Sequence, residues 1–238
     1  MSQLIDFLTK PYEGAAWTTI MLEILAAGFG VLSVWFAKKE KIWVYPTGII
    51  STLIYMYICY QFILYGDFIV NAYYTIMSLY GWYMWARVRN DSKLEISRTN
   101  FWDKIKTAFI FVFTAAFTYV VYVQFNMIDI HLGVSETIDL IFSSFGSIEE
   151  IRGIKEYLDI FTTGVFFSGM WLMANKKIEN WLFWIFGNLV SIPLYFVKGL
   201  GFTAIQFTIF LILAIFGYLE WRKTLKGKGI SQQASKSK

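Results

Sequence analysis

At 238 residues, 57% of them hydrophobic and only 16% charged, with a mean hydropathy of +0.51, the chain is too apolar to be a water-soluble globule. Its formal charge of +4 comes from basic residues clustered between long apolar runs, a mark of membrane topology rather than of a nucleic-acid surface. A single cysteine, Cys59, leaves no disulfide framework or cysteine metal site within the chain.

A membrane span needs about 20 mostly apolar residues, and backbone groups in lipid must pair within their own segment, so the spans should be helices. The opening segment 1–16 has no basic n-region and carries Asp6 and Glu13 ahead of the first apolar run, so it reads as retained and external. Seven spans follow, at 17–37, 42–64, 67–86, 106–126, 156–175, 178–198 and 201–222. The first carries Glu23 and ends in Lys38, Lys39 and Lys41. The third places Asn71, Tyr74, Ser78, Trp82 and Trp85 on one helical face. Arg87, Arg89, Lys93, Arg98, Lys104 and Lys106 then lead into the fourth span. The acidic segment 127–155, which holds the only histidine, His131, reads as external, either a surface helix or a plain loop.

The fifth span opens with Asp159, followed a turn later by Thr162 and Thr163, and it ends at Lys176 and Lys177. In the sixth, Trp181, Trp184, Asn188 and Tyr195 form a stripe, beside Pro193, which should kink or weaken the helix. Trp181 falls near the cytoplasmic interface, where an aromatic-belt role competes with a ligand role. Asn188 falls near mid-membrane, where an interhelical hydrogen bond competes with ligand recognition. Gln206 and Phe210 lie on the matching face of the last span, and a basic tail, 223–238, closes the chain.

Lysine and arginine accumulate on the cytoplasmic side, and only Lys10, Arg152, Lys155 and Lys198 fall on the other. The expected topology is N-terminus outside and C-terminus cytoplasmic. The ends of the chain also resemble each other: "WFAKK" (35–39) is echoed by "WLMANKK" (171–177) and "YGWYMWAR" (80–87) by "FGYLEWRK" (216–223), matching Trp85 with Trp221. A third block, "YQFILYGDFIVN" (60–71) with "YFVKGLGFTAIQ" (195–206), matches Asn71 with Gln206 in a register shifted by one residue. This reads as a diverged duplication: a first three-helix repeat, 17–86, and a second, 156–222, separated by 87–155 with its linker helix 106–126. One crossing between the copies makes them parallel repeats, a transporter plan that holds substrate between the halves near the midplane.

No metalloprotease, phosphate-loop or other catalytic motif is present, so no enzyme, catalytic residue, metal or cofactor is expected. Embedded acids are too few for a proton relay. At this point "YGDFIVNAYYTIMSLYGWYMW" (65–85), "WLFWIFGNLVSIPLYFVKGL" (181–200) and "GYLEW" (217–221) resemble the PnuC family of nicotinamide riboside transporters, across roughly 17–222. The resemblance implies an all-α, seven-helix 3+1+3 membrane fold like a full-length SWEET transporter. It also implies an inner-membrane homotrimer and facilitated diffusion of nicotinamide riboside for NAD biosynthesis, with trapping by cytoplasmic phosphorylation. The candidate binding residues are Trp181, Trp184, Asn188, Gln206, Asn71, Tyr74, Ser78, Trp82, Tyr195 and Thr162. Expected partners are this small molecule, membrane lipid and further copies of the chain, with no nucleic acid. The alternatives are a thiamine or deoxynucleoside carrier or, from another class, a membrane receptor or scaffold that binds a partner through 127–155.

Overall fold

The computed structural model describes residues 17–61, 65–89, 92–124, 154–197 and 201–236. Seven helices lie among them: α1 Trp17–Lys38, α2 Val44–Gln61, α3 Tyr65–Ala86, α4 Phe101–Gln124, α5 Lys155–Ala174, α6 Asn180–Val197 and α7 Gly201–Lys236. A two-stranded antiparallel hairpin, β1 Val88–Arg89 with β2 Ser92–Lys93, sits between α3 and α4. Four stretches, Trp17–Lys38, Phe101–Gln124, Lys155–Ala174 and Thr203–Gly227, have by themselves the length and hydropathy of a span. The chain is an all-helical, multi-pass membrane protein. The segment 1–16 and residues 127–153 of the expected external loop lie outside the described residues.

Two helices differ from their expected bounds by more than three residues. Helix α4 starts at Phe101, not 106, because Asn100 caps it: Asp103 N–H donates to Asn100 Oδ1 at 2.8 Å and Asn100 N–H to Asp103 Oδ2 at 3.0 Å. Helix α7 continues to Lys236, through Gly227 and Gly229; its 36 residues extend about 54 Å against a hydrocarbon core of about 30 Å. Helix α6 runs unbroken through Pro193.

The helices close a ring: α1 packs on α2, α2 on α3, α3 on α5, α5 on α6, α6 on α7 and α7 on α1, while α4 packs on the outside of α5. Helix α5 therefore has neighbours on three sides and is buried over most of its length, whereas α4 leaves Phe109, Val112 and Phe113 exposed. Such an apolar face is stable in lipid without protein cover. On the α3–α5 seam Tyr73 and Phe167 stack with centroids 3.6 Å apart, and Tyr73 O–H donates to the Phe167 carbonyl at 3.0 Å.

The aromatic core gathers at one end, where α1, α3 and α5 finish and α2 and α6 begin: Ala37, Tyr45, Trp85, Met173, Trp181 and Trp221. These directions make α1, α3 and α5 run alike and α2 and α6 oppositely. Two glycines admit the large rings. The Tyr45 ring lies against Gly81, and a Cβ on Gly217 would meet Trp181 Cη2 at 2.6 Å. Gly217→Ala should consequently destabilise the protein by about 1–3 kcal/mol through overpacking. A clear fall in Tm in detergent is the expected readout, and an unchanged Tm would show that the Trp181 ring can shift aside.

The segment entering α4 ties down the α5–α6 turn. Ser97 N–H donates to the Lys176 carbonyl and Ile178 N–H to the Ser97 carbonyl, both at 3.0 Å. Thr99 N–H reaches Glu179 Oε2 at 3.0 Å and Lys177 Nζ lies 2.9 Å from Asp103 Oδ2. Buried Ile96 anchors the same strip.

Candidate binding cavity

The ring encloses a cavity of about 200 Å³ to which all six of its helices contribute. A helix rises about 1.5 Å per residue, so Trp181 at the aromatic end and Asn188 two turns along α6 stand about 10 Å apart on its wall. Among the described residues no charged side chain lines it. Aliphatic and aromatic groups dominate, with a few polar atoms, which is the usual make-up of a small-molecule site.

Seven of the ten sequence candidates meet here: Asn71, Tyr74 and Ser78 from α3, Trp181, Trp184 and Asn188 from α6, and Gln206 from α7. Trp82, Thr162 and Tyr195 do not line the cavity. The inward stripe of α3 runs through half-buried Tyr74 and buried Ser78, Gly81 and Trp85, about 70° around the helix from Trp82, which is 40% exposed. Thr162 hydrogen-bonds within its own helix, to the carbonyls of Leu158 at 2.8 Å and Asp159 at 3.1 Å. Tyr195 keeps to the α6 stripe but stacks on Phe207, with centroids 4.8 Å apart.

Several polar atoms on this wall are buried without a hydrogen-bonding partner in the protein. Among the described residues these include Asn188 Oδ1, Trp181 Nε1, Trp184 Nε1 and Tyr45 O–H. A buried polar group that protein leaves unsatisfied costs about 1–3 kcal/mol, so such a cluster marks a place where a ligand would complete the bonding. Asn188, 2% exposed, forms no interhelical bond through Oδ1. Trp181 is 1% exposed and packs edge-on to Trp221 at 5.5 Å, so it is a floor of the cavity and not part of an interfacial belt. Trp184 is held from behind by Phe166, stacked at 5.6 Å, and by Gly169, where a Cβ would meet its ring at 3.5 Å. Across the cavity Tyr55 O–H donates to Gln206 Oε1 at 3.3 Å.

Below the floor two indoles cross between helices. Trp85 Nε1 donates to the Met173 carbonyl at 3.3 Å, and Trp221 Nε1 to the Ala37 carbonyl at 3.1 Å. Tyr45 and Trp181 hold matching places, each early in its helix and each on a glycine of the helix that follows. Three residues on, Gly48 stands where α6 has Trp184.

Sequence reasoning overlooked the α1–α2 wall: Gly30, Ser33, Gly48, Ser51, Thr52 and Tyr55. Its signal is a run of small and hydroxyl residues at helical spacing, less visible than tryptophans. Most of these hydroxyls hold the wall together, Ser33 Oγ to the Val44 carbonyl and Ser51 Oγ to the Ala26 carbonyl, both at 2.7 Å. Thr52 Oγ1 and Thr75 Oγ1 join α2 to α3 at 2.7 Å.

Known proteins resemble this chain along almost its whole length. The nicotinamide riboside transporter PnuC of Escherichia coli K12 is 22% identical over 233 residues, covering 92% of each chain. PnuC of Neisseria mucosa is 26% identical over 212 residues, covering 86% of this chain and 73% of that protein. The riboflavin/roseoflavin transporter RibM of Streptomyces davaonensis is 24% identical over 209 residues, covering 86% and 84%. A crystal structure of the vitamin B3 transporter PnuC shares the fold, with a TM-score of 0.59 at 24% identity over 94% of this chain and 90% of that one. The family model for the nicotinamide mononucleotide transporter matches residues 20–223. The chain belongs to this family, the PnuC membrane transporters, and is a transporter rather than an enzyme.

Proposed function

We propose that the protein carries nicotinamide riboside into the cytoplasm by facilitated diffusion, for NAD biosynthesis, with phosphorylation inside the cell trapping the product. The observation that carries this reading is the cavity, free of charge among its described residues, in which Trp184 offers a ring and Asn188 Oδ1 lacks a protein partner. A pyridinium cation stacks on an indole face, gaining about 0.5–2 kcal/mol. The amides of Asn188, Gln206 and Asn71 suit a carboxamide and ribose hydroxyls. The substrate-binding set is Trp181, Trp184, Asn188, Gln206, Asn71, Tyr74 and Ser78, with Trp82, Thr162 and Tyr195 outside the cavity wall.

In this reading the ring is two parallel repeats, 17–86 and 156–222, in a SWEET-like 3+1+3 arrangement. The segment 87–155 between them contains α4 as linker. The N-terminal segment 1–16 is outside, the basic tail 223–238 is cytoplasmic, and the assembly is a homotrimer in the inner membrane. The common direction of α1 and α5, the first helices of the two repeats, supports the parallel relation of the repeats. A carrier of a related vitamin or nucleoside, such as thiamine, a deoxynucleoside or riboflavin, is the second reading, favoured by the likeness to RibM. A receptor or scaffold acting through 127–155 would need no ligand cavity.

Thermal shift of purified protein against nicotinamide riboside, its mononucleotide, thiamine and riboflavin separates these readings. Nicotinamide riboside should stabilise most. A phosphate dianion would enter a cavity to which the described residues contribute no Lys or Arg, so the mononucleotide should bind at least about tenfold more weakly. Equal stabilisation by both would refute the nucleoside assignment. Uptake into liposomes clamped at zero potential should stop at equal concentrations, with no dependence on proton or sodium gradients. Accumulation above the outside level at that clamp would refute facilitated diffusion.

A further inference from the structure

Helices α1 and α5 end in the same turn. Glu40 N–H bonds the Ala37 carbonyl at 3.1 Å and Lys41 N–H the Phe36 carbonyl at 3.0 Å. Lys176 N–H bonds the Met173 carbonyl at 3.0 Å and Lys177 N–H the Leu172 carbonyl at 2.9 Å. In both, the residue after the cap has left-handed backbone, φ 53° at Glu40 and 48° at Lys176, as a Schellman-type stop requires. Neither is the glycine usually found there, so each position keeps a charged side chain in a backbone conformation that such residues rarely adopt.

Those two side chains meet. Lys176 Nζ lies 3.6 Å from Glu40 Oε2 and 4.4 Å from the Trp85 ring centroid, and Thr224 Oγ1 donates to Glu40 Oε1 at 3.4 Å. The Lys176 side chain is only 11% exposed, against 41% for Lys39 in the neighbouring Lys39–Glu220 pair on the rim. The pair sits just beyond the floor of Trp181, Trp85 and Trp221, and it joins the α1–α2 turn to the α5–α6 turn. The crossed indole bonds, Trp85 to Met173 and Trp221 to Ala37, span the same division. Every one of these contacts connects one helix triplet to the other, and a path out of the cavity at this end has to separate them.

We infer that the Glu40–Lys176 pair, seated on the Trp85–Trp221 floor, is the gate that closes this end of the cavity. The inference rests on the reading of the protein as a carrier that opens between its halves. The strip at Ser97 and Thr99 anchors the α5–α6 turn, so Lys176 is the fixed jamb and the α1–α2 turn with Glu40 is the part that swings. A neutralised pair also leaves no net charge facing a cationic ligand while the gate is shut.

The test uses the full chain in inside-out vesicles with Cys59→Ala and a reporter, Ala214→Cys, on the cavity wall. The rate of labelling by an impermeant maleimide reports opening without any ligand. Glu40→Lys, which sets two cations together, should raise that rate about fivefold, and Glu40→Gln should raise it less. The reversal Glu40→Lys with Lys176→Glu should return it to within about twofold of the parent. Should Glu40→Lys fail to fold, Glu40→Gln against the parent carries the comparison. Parental labelling in the folded single variants, or a double reversal that does not recover in folding or in rate, overturns the gate. Nicotinamide riboside binding by the unmodified chain reports separately on the carrier assignment, so failure of one is distinguishable from failure of the other.

Discussion

Asn188→Ala is expected to weaken nicotinamide riboside binding by roughly five- to a hundredfold, the equivalent of about 1–3 kcal/mol for a buried polar partner left unmatched. Asn188 Oδ1 has no protein hydrogen bond to lose, so the Tm without ligand should stay close to that of the parent. The two measurements together separate recognition from packing. Titration calorimetry that returned an affinity within twofold of the parent would remove Asn188 from the site. A large fall in Tm with unchanged affinity would make the residue structural.

Trp184→Ala is expected to lower affinity by at least about thirtyfold, because a desolvated cation–π and stacking contact is worth roughly 2 kcal/mol or more. Trp184→Phe keeps a ring face and should lose less, about three- to tenfold, since a smaller ring holds a cation less strongly. Phe166 and Gly169 fix the Trp184 ring in place, so little ordering entropy is lost when a ligand stacks on it. Equal losses in the two variants would mean that Trp184 supports the wall by volume alone. Tryptophan fluorescence is a poor monitor here, because Trp85, Trp181 and Trp221 lie nearby, so binding should be read by calorimetry or labelled ligand.

The helices were legible because an apolar run long enough to cross lipid has few other solutions, and each expected span holds a helix. Their ends were less so. The Asn100–Asp103 cap of α4 lies in a polar loop outside any hydropathy window, and the extension of α7 is polar and runs through Gly227 and Gly229, which a sequence reading takes as a stop. Within the cavity, stripe arithmetic picked out Trp184 and Asn188 but could not tell which flank of a stripe turns inward. Trp82 misses the cavity because it lies about 70° around α3 from the inward stripe, and Tyr195 because its ring stacks on Phe207. The α1–α2 wall stayed hidden because serine, threonine and glycine read as packing residues, and Ser33 and Ser51 do pack.

Gly48 and Trp184 hold matching places on opposite walls, one bare and one aromatic. Had the ring been assembled from two identical three-helix chains, its two-fold axis would have obliged both walls to carry the same residue. The binding space would then suit a palindromic molecule, or two copies of a small one. A nucleoside is lopsided, a flat base at one end and a puckered sugar at the other. In the two-repeat arrangement proposed above, joining both halves in one polypeptide lifts the symmetry constraint, so each wall is free to specialise for one end of the guest.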